Sequence, residues 1–167
     1  MGEAILDYQA LQEWQQKLLD AAETVLIQAY NPYSRFSVGA ALLTETGEVI
    51  GGANFENAAY SPGICAERAA LVRANAQGYR KFKAVAVMGR PRDFQEKNRE
   101  ETFAQVTAPC GVCRQMLFEA DQLSDHDLEV IMSTPDKSRI VLMSIKALLP
   151  YGFGPQNLGI DLSEFKK

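Results

Sequence analysis

Between residues 8 and 30, apolar side chains recur at Leu11, Trp14, Leu18, Leu19, Ala22, Val25, Leu26 and Ala29, the three-to-four spacing of an amphipathic helix. Asn31-Pro32 ends it, because proline disfavours the helical conformation of the residue before it. From Phe36 to Leu43 the pattern becomes a mostly apolar strand, Thr44-Glu45-Thr46-Gly47 reads as a turn, and Glu48 to Phe55 as a second strand, so the two form a hairpin. Pro62-Gly63 breaks the chain again. Strong helix formers then fill Cys65 to Ala76, with Gly78 as the stop beyond them. Phe82 to Met88 is a short buried-type strand, and Cys110 to Ala120 a helix with Pro109 just ahead of it. Leu128 to Ser133 and Ile140 to Met143 are Val- and Ile-rich strands. A short helix over Ile145 to Leu149 and a Gly/Pro tail over 150 to 159 follow.

Strands alternating with helices predict a layered α/β domain whose later strands are partly parallel. A chain of 167 residues has room for one such core, so 1–167 is expected to be a single domain. With 47% hydrophobic and 23% charged residues, wholesale disorder is excluded. No apolar run approaches bilayer length, and the N-terminal MGEAILDYQALQEW is acidic where a secretory signal is basic; a cytoplasmic protein without membrane contact is expected. A net charge of −4 argues against binding nucleic acid by bulk electrostatics. The segment Arg90 to Thr107 carries four basic and four acidic residues and reads as a charged loop excursion between a strand and a helix.

The metal-capable residues are three Cys and one His, too few for a disulfide framework. All three cysteines fall in two motifs, Cys65-Ala66-Glu67 and Pro109-Cys110-Gly111-Val112-Cys113. The spacing of Cys110 and Cys113 lets two thiolates on one helical turn face one metal ion. Cys65 also stands at a predicted helix start, where partial positive charge and free N–H groups favour thiolates. Two such helix ends meeting would give three thiolates with one tetrahedral position open, the arrangement of catalytic rather than structural zinc sites. The pair Cys110/Cys113 alone could also be a redox pair, the less favoured reading, and a fourth ligand would make a structural zinc module. His126, in the polar stretch Ser124-Asp125-His126-Asp127, reads as a surface turn residue rather than that ligand.

These motifs match the three-Cys form of the zinc deaminase signature, in which the glutamate is not a ligand. The match continues through Asn31-Pro32-Tyr33-Ser34-Arg35-Phe36-Ser37-Val38-Gly39-Ala40-Ala41, Asn54-Phe55-Glu56-Asn57-Ala58-Ala59-Tyr60, Cys113-Arg114-Gln115 and Leu148-Leu149-Pro150, and spans about residues 10 to 158. The chain thus resembles the small homotetrameric cytidine deaminases of pyrimidine salvage. The resemblance implies a three-layer α/β/α domain with a five-stranded mixed sheet, and one zinc per subunit on Cys65, Cys110 and Cys113. It implies Glu67 as proton shuttle and Arg68 as a donor to a cysteine sulfur. It further implies Asn54 and Glu56 on the ribose 3′-hydroxyl, Phe36 and Phe153 against the pyrimidine (Phe153 from a neighbouring subunit), and a role for the Ala66 N–H in the site. On a strand, Asn54 and Glu56 would share one face, with Phe55 on the other. Tyr60 is expected near a subunit boundary. The expected substrate is a nucleoside, cytidine or deoxycytidine, since a carboxylate at the sugar end repels phosphate. Another aminated base or nucleoside-like compound, or a non-catalytic zinc module, are the alternatives. The 90–107 excursion is longer than the family's usual loop.

Overall fold

The computed structural model describes residues 5–93, 105–124 and 126–165. A mixed sheet is built from β1 (Ile5–Leu6), β2 (Phe36–Thr44), β3 (Val49–Ala53), β4 (Phe82–Pro91), β5 (Glu129–Ser133) and β6 (Ile140–Ser144) in the order β1-β6-β5-β4-β2-β3. All neighbours are antiparallel except β4 and β5, which run parallel with Val85 opposite Val130. The five expected strands are present. The two-residue β1 extends them at one edge, too short a stretch to announce itself in a hydropathy pattern. The helices are α1 (Glu13–Leu26), α2 (Ala66–Ala76), α3 (Gly111–Leu123) and the single turn α4 (Ile145–Leu148).

The first helix is shorter than the 8–30 expected. Residues Tyr8–Ala10 form a separate 3-10 turn, and α1 begins only after Gln12, whose side chain and that of Gln15 cap each other's backbone N–H. The second strand of the hairpin stops at Ala53 rather than Phe55, and β4 runs on to Pro91, pairing Ser37 with Arg90 and Phe36 with Pro91. The start of the expected loop excursion, Arg90 and Pro91, therefore belongs to the sheet. Of the rest of that excursion, residues 94–104 lie outside the described residues.

Alternation along the strands sorts the core into two layers. Ala41, Ala84, Ala86, Met88, Ile131 and Ile140 face α1 and pack on Leu18, Leu19, Ala22 and Leu26. Ala40, Leu42, Val85, Val87, Val130 and Met132 face the opposite layer, where α2 and α3 bury Ala66, Ala70, Leu117 and Ala120. Close approach depends on two glycines: a Cβ on Gly39 would lie 2.0 Å from the Ala22 carbonyl, and one on Gly52 2.3 Å from the Ala70 nitrogen. The first contact seats α1 on one face of the sheet and the second seats α2 on the other, the face that also carries α3. Among the described residues no helix is long and apolar enough to cross a membrane.

Candidate active site

Cys65 is the residue before the first turn of α2, Cys110 holds the same position on α3, and Cys113 sits in the first turn of α3. The expected meeting of two helix ends is present: the Cys65 and Cys110 sulfurs are 3.8 Å apart and those of Cys110 and Cys113 3.4 Å. All three lie within 4.8 Å of one another. Tetrahedral zinc with Zn–S bonds of about 2.3 Å spaces its sulfurs about 3.8 Å apart, so the donor set fits that ion in both spacing and chemistry. No other group of three metal-capable side chains occurs among the described residues.

The electrostatics of the cluster are lopsided. Hydrogen bonding from Cys113, helped by Cys110 and Arg68 and opposed by burial, pulls the Cys65 thiol down to about 5. The Cys113 thiol is pushed far up by its bond to Cys65, by burial and by the Glu67 charge. Arg68 Nη2 donates to the Gly63 carbonyl at 2.9 Å and lies 4.0 Å from the Cys65 sulfur. Burial is the largest single influence and works against its charge, but the hydrogen bond to Cys65 and the charges of the three cysteines together outweigh it and hold it protonated. Its buried Nε has no hydrogen-bond partner.

Glu67 is 3% exposed, two residues on from Cys65 in the first turn of α2. Burial pushes its carboxyl above the ordinary carboxylate range; a backbone hydrogen bond opposes this, and the Cys65 charge adds to the rise. It opens on a cavity of about 290 Å³ whose wall includes Val38, Asn54, Glu56, Cys65, Ala66, Glu67, Thr107 and Cys110. An adjoining hollow of about 390 Å³ shares Glu56, Tyr60 and Gly63 with it and is completed by Tyr33, Ser34 and Asn57. A third cavity, about 330 Å³ between α2 and α3, is lined largely by apolar side chains such as Leu71, Phe82 and Leu123, and touches none of the cysteines.

Asn54 and Glu56 share the cavity wall, but not as strand neighbours. Beyond Ala53 the chain leaves the ladder, and only Phe55 makes isolated bridges, to Tyr30 and Ile64. The Asn54 amide replaces ladder bonds: Oδ1 accepts from the Val38 N–H at 2.8 Å and Nδ2 donates to the Phe36 carbonyl at 3.0 Å. Glu56 Oε2 accepts from the successive N–H groups of Tyr33 and Ser34 at 3.0 and 3.2 Å. The Ser34 side chain, joined by these two amides, holds its carboxyl below the usual range against the opposing effect of desolvation. Phe55 stacks on Tyr30, ring centroids 5.3 Å apart.

The remaining expected residues fall differently. Ala66 is fully buried and lines the cavity. Phe36 lies beside Gly89, where a Cβ would meet its ring at 2.6 Å, and is not part of the cavity wall. Phe153 is 58% exposed and outside the wall; Gln115 Nε2 donates to its carbonyl at 2.6 Å. Tyr60 is 77% exposed in a left-handed conformation (φ 59°) and meets Tyr33 edge-on. His126 stands 3.8 Å from Glu45, away from the cysteines, as a surface turn residue does. Two residues of the wall carry no signal in the sequence: Val38 is hidden within an apolar strand, and Thr107 at the end of a charged loop. The Tyr33 and Ser34 amides have a legible signal in Pro32, which starts the turn that frees them.

Three convergent thiols beside a buried carboxyl, at the edge of a layered α/β/α domain, form the equipment of a zinc-dependent hydrolase. The chain belongs to the cytidine and deoxycytidylate deaminase family: the model for that family's zinc-binding region matches residues 12–124, which include all three cysteines. It is 37% identical over 147 residues to a probable cytidine deaminase of Dictyostelium discoideum, covering 88% of each chain. It is 38% identical to the cytidine deaminase of Sporosarcina psychrophila, covering 86% of this chain and 93% of the relative. The crystal structure of cytidine deaminase from Burkholderia pseudomallei superimposes with a TM-score of 0.71 at 38% identity, covering 86% of this chain and 100% of that one.

Proposed function

We propose that the chain hydrolyses cytidine and deoxycytidine to uridine and deoxyuridine with release of ammonia, acting in pyrimidine salvage. The observation that carries this reading is the convergence of the Cys65, Cys110 and Cys113 sulfurs at the wall of one cavity that Cys65, Cys110, Glu67, Asn54 and Glu56 line. Held by the three thiolates, zinc would supply the Lewis acidity that makes water nucleophilic near neutral pH. Glu67, buried beside that donor set with a raised pKa, takes one proton from the attacking water and passes it to ring N3. It then takes the proton of the newly formed C4 hydroxyl and delivers it to the departing amine as the C–N bond breaks. One water is consumed per amine released, and the carboxyl returns to its starting state. The Arg68 guanidinium beside Cys65 offsets part of the negative charge that three thiolates gather. The Ala66 N–H, at the start of α2, is available to a polar atom of the ring.

At the sugar end, the Glu56 carboxylate, held by the two amides on Oε2, lines the cavity and accepts from a ribose hydroxyl. Asn54, braced by both its amide bonds, keeps one N–H for the same hydroxyl. A fixed carboxylate there disfavours phosphate, so nucleosides are preferred to nucleotides and nucleic acid is not a substrate. Phe36 and Phe153, which lie outside the wall of a single chain, would reach the base through assembly into a homotetramer, with Phe153 donated by a neighbour and Tyr60 at the boundary. The setting is cytoplasmic, and the functional unit is one domain. The test combines zinc analysis of the purified protein with the fall of the cytidine absorbance band, run in parallel on deoxycytidine, CMP and a panel of aminated bases. Loss of the band with nucleosides but not CMP is expected. Bound zinc without turnover of either nucleoside would overturn the reading.

A further inference from the structure

The turn that delivers Cys110 has few attachments of its own. Cys110 is exposed, extended (φ −67°, ψ 169°), and its side chain caps no N–H of α3. The residue before it, Pro109, has no N–H to anchor it, and its carbonyl stands outside the hydrogen bonds of the helix. One side chain reaches that carbonyl. Arg114, in the first turns of α3, donates from Nε to Pro109 O at 2.8 Å and from Nη1 to Leu148 O at 3.1 Å. Leu148 is the last residue of α4, a single turn whose terminal carbonyls have no partner within the helix. Two carbonyls outside their helices' own ladders, 39 residues apart in the chain, are therefore joined through one planar guanidinium.

We infer that Arg114 is a positioning residue for the metal-ligating turn, acting through the Pro109 carbonyl on the orientation of Cys110. This rests on the reading of the three cysteines as zinc ligands. The Pro109–Cys110 peptide is rigid, so fixing its carbonyl fixes the plane from which the Cys110 Cα–Cβ bond departs. The Leu148 bond supplies the second point that prevents the guanidinium from swinging with its own flexible stem. Arg114 differs here from Arg68, which touches a sulfur directly. Lysine cannot substitute fully, since a single ammonium has no planar fork to hold two carbonyls at fixed angles. Second-sphere contacts of this kind typically carry about 10–100-fold in metal affinity.

The test compares wild type with R114K, R114Q and R114A in three measurements: zinc content with cytidine turnover, the rate of zinc transfer to a chromogenic chelator, and melting temperatures of the zinc-loaded and zinc-stripped proteins. Zinc transfer about 10-fold or more faster than wild type is expected for R114A and R114Q, with R114K between. The gap in melting temperature between loaded and stripped protein should narrow in the same order. A role confined to anchoring α4 would lower both melting temperatures equally and leave transfer unchanged, and that result overturns the inference. If R114A fails to fold, R114K and R114Q decide by the same two readouts. A wild-type chain that binds no zinc overturns the underlying reading as well, whereas a zinc-loaded, active wild type with unaffected variants overturns only the role of Arg114.

Discussion

Glu67 and Glu56 are both carboxylates on the same cavity, yet their surroundings divide them. Glu67 is buried among thiols and drawn toward its neutral form, whereas Glu56 lies against two backbone amides and a hydroxyl that favour its charge. Their substitutions should therefore fail in different ways. E67Q keeps shape and burial but removes the group proposed to move the proton; its kcat should fall about 10³-fold or more with zinc content unchanged, as steady-state rates and metal analysis will show. E56Q keeps the acceptor proposed for a sugar hydroxyl but loses the charge proposed to repel phosphate. Its kcat/KM for cytidine should fall about 10-fold or more while the ratio of cytidine to CMP activity shrinks, measured by parallel assays with the two substrates. An unchanged ratio would separate Glu56 from substrate choice. The spacing of the cysteines makes this end of the site legible in the chain itself, because Cys-x-x-Cys at a helix start admits few geometries. The setting of Asn54 and Glu56 is less legible. Side-chain amides that take over ladder bonds from Val38 and Phe36 look, in a linear pattern, like ordinary strand residues.

At the scale of elements, the site depends on how closely α2 seats on β3. Gly52 leaves no space for a methyl group between the strand and the backbone of Ala66 and Ala70. G52A must push α2 outward, and with it Cys65 and Glu67. A loss of about 2–4 kcal/mol in chemical denaturation is expected, together with lower zinc occupancy in the protein that remains folded. Occupancy at the wild-type level would show that the helix N-termini are set by other contacts. The succession of elements is readable from periodicity because α1, α2, α3 and the five long strands each bury a face that repeats. Their ends are less so. The first helix loses its opening turn to the Gln12–Gln15 capping pair, and β4 gains Gly89, Arg90 and Pro91 by pairing with the start of β2, a tertiary effect that no local pattern carries. Phe153 and Phe36 are expected beside the base on resemblance alone, and within one chain neither lines the cavity.

Across the whole molecule, the sheet layer opposite the site is fastened by Lys137. Its ammonium bridges Asp20 and Glu23 of α1 at 2.6 and 2.8 Å and lies 4.8 Å above the Tyr8 ring, tying the turn between β5 and β6 to the N-terminal segment. Burial works against the charge of Asp20, but hydrogen bonds from Lys137 and Tyr8 prevail and hold its carboxyl below the ordinary range. A lowered carboxyl pKa contributes stability that is present above the unfolded value and lost as pH falls through the folded one. Lys137 itself is raised, its carboxylate partners outweighing burial, so its contribution is present below its unfolded value and fades as pH rises through the folded one. K137M should destabilise the protein by about 1 kcal/mol at neutral pH, discounted for partial exposure. The difference from wild type should narrow below about pH 4 and again above about pH 10.5, as urea titrations across pH will test. A difference independent of pH would assign the effect to packing on Tyr8.

The two halves of the thiol cluster are separated by 45 residues, from Cys65 to Cys110. On a ribosome adding about 5–20 residues per second, roughly 2–9 s pass between the birth of one half and the other. Throughout that interval the nascent chain holds a cysteine and its neighbouring glutamate with no counterpart to close upon. Cys110 and Cys113 then emerge almost together. The thiol cluster therefore cannot close before the start of α3 has been synthesised, well after the other helix N-terminus that carries Cys65 and Glu67.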